Sequence, residues 1–342
     1  MNSFGRLFRI HIFGESHGPE IVVGIDGCPA GIVLREDDFD GDLQRRRGGA
    51  PGTTQRREDD KPEIRSGVFN GRTSGAPILI AFANRDTRSS DYDEFVSMPR
   101  PGQSDWTARL KYGGCNDYRG GGHFSGRLTV GLVAAGVIAK KIISPAVVQA
   151  TLIEAGGDPD IERALERAAL NDSIGGIVSC AVEQLPAGLG EPFFDSLESA
   201  IAHLIFAVPG IRGVEFGSGF ASARMPGSEH NDLILTPAGK TETNHCGGVN
   251  GGISNGNPLN LRVAVKPTSS IAKPQYTVDL SSGKRRKLVI AGRHDRCFAL
   301  RVPVVIEAAV AVALADFALR QQAVKRVFAI DDHPVKGAGG DR

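Results

Sequence analysis

Tryptophan and tyrosine are scarce in this chain, at one and four beside 16 phenylalanines, and no aromatic residue is interleaved with its basic loop at 45–57. Single-stranded nucleic acid is commonly held on stacked aromatic platforms, and no such platform is legible here. Net charge is nearly absent as well, at +1. A surface without excess charge recruits neither nucleic acid nor a membrane over long range. The five cysteines, Cys28, Cys115, Cys180, Cys246 and Cys297, include no close pair. An odd and scattered set predicts neither a disulfide framework nor a zinc site, and points to a reduced, cytoplasmic setting. The longest apolar runs are interrupted by Gly, Lys or Glu, so no membrane span is expected. Met1 to Phe13 has neither the apolar core nor the cleavage signal of a secretory leader.

What the chain has in excess is glycine, with 44 residues set in short clusters and no fixed period. The densest cluster runs Arg119-Gly120-Gly121-Gly122-His123-Phe124-Ser125-Gly126-Arg127, ahead of an apolar run at 128–143. Glycine lets backbone approach a ligand closely. A helix start then offers unpaired N–H groups to an anion. Arg119, His123 and Arg127 add side-chain donors. Such a motif is weak evidence alone, and a capped glycine turn explains it as well.

Other stretches have the same character. Residues 4–13 alternate and predict a strand that ends in the turn Gly14-Glu15-Ser16-His17-Gly18; residues 21–25 predict the next strand. Residues 36–47 predict a helix with acids first and Arg45, Arg46 and Arg47 last, as the helix dipole favours. The loop Gly48 to Arg57 is basic and glycine-rich, which suits a solvated charge run, a phosphate loop or an RNA-contacting arm. The near-neutral net charge argues against RNA.

Strands are expected at 63–69, 76–83, 176–184, 213–220 and 261–265, helices at 162–169, 194–207 and 302–319, and a loop at 84–98. Pro209-Gly210 stops the helix at 194–207. Lys266-Pro267-Thr268-Ser269-Ser270 combines one point charge with several hydroxyls, a set suited to phosphate but equally to a strand-exit turn. No low-complexity linker divides the chain, so 1–330 reads as one domain and 331–342 as a polar tail. The two Ala/Val/Gly-rich helices suggest an internal duplication.

Taken together, seven stretches resemble the chorismate synthase family: Gly14 to Gly18, Arg45 to Arg47, Ser66 to Phe69, Asp117 to Arg127, Gly251 to Gly256, Lys266 to Ser270, and Arg293-His294-Asp295. Each is weak alone, but their joint order is specific, and the resemblance covers residues 4–325. It implies an α+β fold, a β-α-β sandwich with antiparallel sheets packed between helical layers. It also implies a homotetramer and conversion of 5-enolpyruvylshikimate 3-phosphate to chorismate and phosphate. That reaction uses reduced FMN without net redox change.

By the same resemblance Arg46, Arg100, Arg127 and Arg293 contact the substrate's anionic groups. FMN meets His123, Phe124, Ser125, Pro209, Gly210, Gly251, Lys266, Pro267, Thr268, Ser269, Ser270 and Arg293. His17 protonates the departing phosphate, Asp295 acts as base, and Ser16 relays protons. The chain departs from the family at Gln103, which stands where the family's Arg-Pro-Gly-His-Ala-Asp pattern carries a second catalytic histidine. Glutamine carries no proton at neutral pH, so a catalytically impaired flavin- or phosphometabolite-binding homologue is the alternative reading. No Rossmann fingerprint is present, so an external flavin reductase is expected to supply reduced flavin, with NADPH as the alternative reductant.

Overall fold

The computed structural model describes residues 2–54, 56, 58–87, 89–168, 171–290, 292 and 294–323. The first half runs β1 (Ser3–Phe4), β2 (Arg9–Gly14), β3 (Glu20–Asp26), α1 (Asp40–Arg46), β4 (Glu63–Ser66), the small hairpin β5 (Val68–Phe69) and β6 (Arg72–Thr73), β7 (Ile78–Ala83), α2 (Asp105–Tyr112) and α3 (Thr129–Ile142). The second half runs β8 (Val147–Ala155), α4 (Ile161–Arg167), β9 (Gly176–Glu183), α5 (Leu197–Ala207), β10 (Ile211–Phe216), α6 (Gly227–His230), the hairpin β11 (Val249–Asn250) and β12 (Ile253–Ser254), β13 (Leu259–Val265), the hairpin β14 (Gln275–Asp279) and β15 (Lys284–Leu288), and α7 (Pro303–Ala323).

The two large sheets are antiparallel and share one plan. The first is ordered β1-β2-β3-β7-β4 and the second β10-β13-β9-β8. Setting aside the edge strand β1, each half orders its strands first, second, fourth, third in chain order. A helix follows the second strand in each half, α1 or α5, and another follows the fourth, α3 or α7. The expected duplication is therefore present in the topology, although the sequences of the halves have diverged.

The expected α+β fold and β-α-β sandwich form, but the expected layering is corrected: the helices are the middle layer and the antiparallel sheets lie outside them. Helix α3 packs on β3 of one sheet, α7 packs on β8 of the other, and α3 and α7 pack on each other. The sheets thus enclose the helices. The reason lies in the burial patterns. Strand β3 alternates buried and half-buried positions, as a sheet with one covered face does. Helix α7 buries every residue from Val304 to Phe317, so it must be covered all round. Small side chains let the central helices meet closely: a Cβ at Gly136 would stand 2.6 Å from the Cα of Ala308.

A buried charge near the start of α7 joins the layers. Glu307 on α7 is 3% exposed. Its carboxylate accepts hydrogen bonds from Arg45 (2.6 and 2.8 Å), from Lys140 (2.8 Å) and from the Ala150 N–H (2.9 Å). These come from α1, α3 and β8, so one side chain ties the two halves together.

Several local expectations are corrected. The strand at 4–13 is broken, because Gly5 has φ +97° and the buried Asp316 carboxylate accepts from the N–H groups of Arg6, Leu7 and Phe8. The loop at 84–98 contains 3-10 turns at Ser89–Val96. The strand at 213–220 stops at Phe216, where Gly217 turns with φ +55°. Strand β8 was not legible, since it follows the apolar helix almost without a polar break. The β14–β15 hairpin was missed too; its basic strand lacks alternation and rests on a small cluster of Phe95, Leu288 and Ile290. The expected tail 331–342 lies outside the described residues.

Burial works against the Glu307 carboxylate, but Arg45 and Lys140 outweigh it and hold it below its ordinary 4.5. Stability from this group is therefore present above the ordinary value and lost as pH falls through the folded value. Glu307→Ala should lose about 3–5 kcal/mol by urea denaturation at neutral pH, and the loss should shrink toward acid. A variant as stable as the parent at neutral pH would refute this.

Candidate active site

The end of α1, the loop after it, the glycine-rich turn before α3, the loop after β13 and the turn before α7 meet in a cleft of about 260 Å³. Six cationic side chains line it among the described residues: Arg46, Arg47, Arg56, Arg127, Lys266 and Arg301. Three carboxylates, Glu58, Asp60 and Asp295, face them. The excess of three positive charges belongs to an anion site.

Asp60 organises the deepest part. It is 2% exposed and left-handed, with φ +46°. One of its oxygens accepts from Arg46 Nη2 at 2.6 Å and the other accepts from Arg127 Nη1. Arg127 Nε donates to Asn84 Oδ1 at 2.8 Å. Burial opposes the charge on Asp60, and the two guanidiniums outweigh it and keep the carboxyl below its ordinary value. For Arg46 burial dominates over the attraction of Asp60, and with Arg127 and Arg301 nearby brings it down to about 10. Arg46 Nε is buried without a partner, as is Thr268 Oγ1. Both residues line the cleft, and such orphaned groups suit an oxyanion ligand.

Ser16 and His17 are not among the residues that line the cleft; they stand directly behind Gly120, which does. A Cβ at Gly120 would stand 2.5 Å from Ser16 Oγ and 2.7 Å from His17 Nε2, so only glycine fits there. The position has φ +60°, a second reason for glycine. Arg56 Nη1 donates to Ser16 Oγ at 3.1 Å. His17 Nδ1 pairs with Ser89 Oγ at 3.1 Å, and its ring meets Tyr92 edge-on. Burial lowers the His17 pKa, and Arg56 and Arg119 lower it further against Asp117 and Asp91. Asp295 accepts from Arg301 (2.7 and 3.1 Å) and from the Thr54 N–H (2.9 Å).

The structure brings most of the expected residues together. Gln103, Ser125, Pro209, Gly210, Lys266, Pro267, Thr268, Ser269 and Asp295 line the cleft with Arg46 and Arg127. Lys266 Nζ donates to the Gly102 carbonyl (2.7 Å) and to Ser269 Oγ (2.8 Å), which ties the Gln103 loop to the loop after β13. Burial, with Arg212 nearby, lowers its pKa.

Other expected residues lie elsewhere. Arg100 is not in the cleft lining; Asp105 holds its guanidinium by two bonds of 2.8 Å, and Phe95 stacks beneath it. Ser270 accepts from Arg100 at 3.2 Å. His123 bonds the Gly14 carbonyl at 2.8 Å and faces a second, apolar cavity that shares Ser125 and Pro209 with the cleft. Phe124 leans on Tyr112. Gly251 sits in the β11–β12 turn, where the next residue, Gly252, accepts from the Leu197 N–H at the start of α5, so this chain's cleft does not contain it. Arg293 lies outside the described residues.

Sequence reasoning missed Asp60, Tyr92 and Arg301. Asp60 looks like one acid in a polar run. Arg301 carries a faint signal, standing six residues after Asp295 at the end of the 3-10 turn Phe298–Arg301, which brings it back to that carboxylate. Tyr92 lay in what reads as loop.

The cleft is therefore that of an enzyme acting on a multiply charged anion, on a duplicated β-α-β scaffold. The chorismate synthase family model matches residues 8–165 and 150–319. A chorismate synthase of Chitinophaga pinensis is 63% identical over 96% of this chain and 99% of its own length. One from Korarchaeum cryptofilum is 46% identical over 93% of this chain and 97% of its own. A chorismate synthase crystal structure superposes with a TM-score of 0.70 at 26% identity, covering 93% of each chain. The chain belongs to the chorismate synthase family. Each of these relatives carries the enzyme's name, so the reading of an impaired homologue gains nothing from them.

Two cations and burial oppose a proton on His17, so in the ligand-free protein it should titrate below its ordinary 6.5. Arg56→Gln should move the midpoint upward. Histidine NMR across a pH series measures both, and a midpoint unmoved by Arg56→Gln would count against this electrostatic account.

Proposed function

We propose that this protein is a working chorismate synthase, eliminating phosphate and the C6 hydrogen of 5-enolpyruvylshikimate 3-phosphate in a 1,4 relation to give chorismate. The observation that carries the reading is the cleft's excess positive charge, fixed in place by Asp60, beside an oriented histidine and an oriented aspartate. The substrate brings two carboxylates and a phosphate, opposite in sign to that excess. Reduced FMN, when bound, supplies electron density as the phosphate leaves and regains it, so no net redox change results.

The residues of the chain divide the remaining work. Arg46 and Arg127, pinned by Asp60, present guanidinium faces to the anions, and Arg47 and Arg56 complete the ring. Lys266, Thr268 and Ser269, with the Gly210 backbone, suit the flavin phosphate. Holding both anionic ligands in one cleft replaces a bimolecular encounter with a fixed geometry. His17 delivers a proton to the departing phosphate, and the bound phosphate dianion favours that proton where the empty arginine field opposed it. Ser16 stands beside it as relay. Asp295, oriented by Arg301 and the Thr54 N–H, serves as the base, so that the C6 hydrogen leaves as a proton and its electron pair stays with the forming double bond. Gln103 donates and accepts hydrogen bonds at the cleft but moves no proton. Arg100 supports the loop that carries Gln103, and Arg293 is assigned to the anions by family resemblance.

The flavin-facing set includes Ser125, Pro209, Gly210 and Pro267, with His123 and Phe124 behind them. Gly251 and Ser270 have no direct place in this chain's cleft. In a homotetramer, Gly251 would serve a neighbouring subunit. The protein acts as one domain in the cytoplasm, with reduced FMN from an external reductase, or through NADPH.

Anaerobic assay with chemically reduced FMN and 5-enolpyruvylshikimate 3-phosphate, following chorismate by absorbance, tests the reading. Wild type should turn over. His17→Asn should lose about 10²–10⁴-fold in kcat, as expected for a lost general acid. Arg127→Ala should lose about 30- to 1000-fold in kcat/KM, equivalent to about 2–4 kcal/mol. Folded wild type that binds the substrate without forming chorismate would overturn the proposal. Activity gained only in Gln103→His would trace that failure to the missing histidine.

A further inference from the structure

His17 has two ring nitrogens, and a proton donor must deliver from the one that faces the reacting group. The structure separates the two. Nε2 stands against Gly120, which lines the cleft, and beside Ser16, whose hydroxyl accepts from Arg56. Nδ1 points away and meets one side-chain hydroxyl, Ser89 Oγ at 3.1 Å. Ser89 opens the 3-10 segment Ser89–Val96. That segment also supplies Tyr92, which packs edge-on against the His17 ring and lines the cleft.

We propose that Ser89 is a positioning residue for His17: its hydroxyl accepts from Nδ1–H and so makes Nε2 the nitrogen that delivers the proton. This rests on the reading of His17 as the acid toward the leaving phosphate. When His17 is protonated, both nitrogens carry hydrogen. Ser89 holds the Nδ1 hydrogen, so the N–H that breaks is at Nε2 and its proton goes to the phosphate oxygen. The neutral ring left behind is the Nδ1–H tautomer, with a lone pair at Nε2.

The charged groups around the ring favour the same arrangement. Arg56 from the basic loop and Arg119 from the glycine-rich turn oppose a proton, and Asp117 and Asp91 favour one. Arg56 reaches the site through Ser16, on the Nε2 side, and a lone pair there is better placed against a cation than an N–H is. Tyr92 keeps the ring from rotating about its Cβ–Cγ bond. Fixing a histidine tautomer through its remote nitrogen is a known device of metal sites and catalytic triads; here a neutral hydroxyl does it.

The test uses ¹⁵N-histidine-labelled full-length protein, with the His17 signals assigned by their loss in His17→Asn. Above its titration midpoint, wild-type His17 should show the Nδ1–H tautomer in two-bond proton–nitrogen spectra. Ser89→Ala should shift it toward Nε2–H and lower kcat by about 3- to 10-fold, the worth of one hydrogen bond, with KM unchanged. Ser89→Thr should restore both the tautomer and the rate. A wild-type ring already in the Nε2–H form, or a tautomer unchanged in Ser89→Ala, would overturn the proposal. The spectra read the tautomer whether or not chorismate forms. A wild type that shows the tautomer shift but makes no product would uphold Ser89's hold on His17 and refute the reaction assigned to it.

Discussion

The buried Glu307 carboxylate joins the two halves of this molecule. Glu307 sits near the start of α7, flanked by Val, Ile and Ala, and draws α1, α3 and β8 toward itself through Arg45, Lys140 and the Ala150 N–H. A buried charge is tolerated only when it is paired and fully hydrogen-bonded, and this one is. The consequence reaches the site. Arg45 reaches Glu307 from the end of α1, and Arg46 and Arg47, which follow it directly, line the cleft. The contact that joins the halves therefore also aims the arginines.

The same logic recurs at Asp60 on a smaller scale. Two arginines brought together without a counter-ion would repel each other and lose their hydration. Asp60 lets them stand side by side, 5% and 6% exposed, at the bottom of a cleft. Its left-handed backbone shows that the loop bends to place that carboxylate, a cost that a surrounding network can sustain at a functional site. Gly120 meets a complementary demand, since removing the Cβ is what lets the glycine-rich turn close over Ser16 and His17.

Much of this was legible in the residues. The glycine-rich turn, the basic loop and the Lys266 to Ser270 run each declare donors and close backbone approach, and eleven of the residues expected in the site do line one cleft. The long apolar helices were legible because nothing polar interrupts them. Less legible were residues whose role depends on a partner far along the chain. Arg100 reads as an anion ligand until Asp105 is seen to hold it. Ser89 and Tyr92 read as loop until His17 lies against them. Asp60 is unremarkable until Arg46 and Arg127 converge on it from different elements.

The sequence by itself determined local things: where backbone must be left-handed or bare, which helices must be covered all round, and which short motifs carry donors. It also carried the family resemblance, through the order of those motifs. Only the tertiary structure decided the pairings. It set the helices inside the sheets, gave the two halves one strand order, and sorted the arginines into those facing the cleft and those neutralised beside it. The physical reason is range. Backbone preference and hydrophobic periodicity act over a few residues. A charge takes its meaning from whatever lies within a few ångströms, and here that neighbour is often hundreds of residues away, as Glu307 is from Arg45.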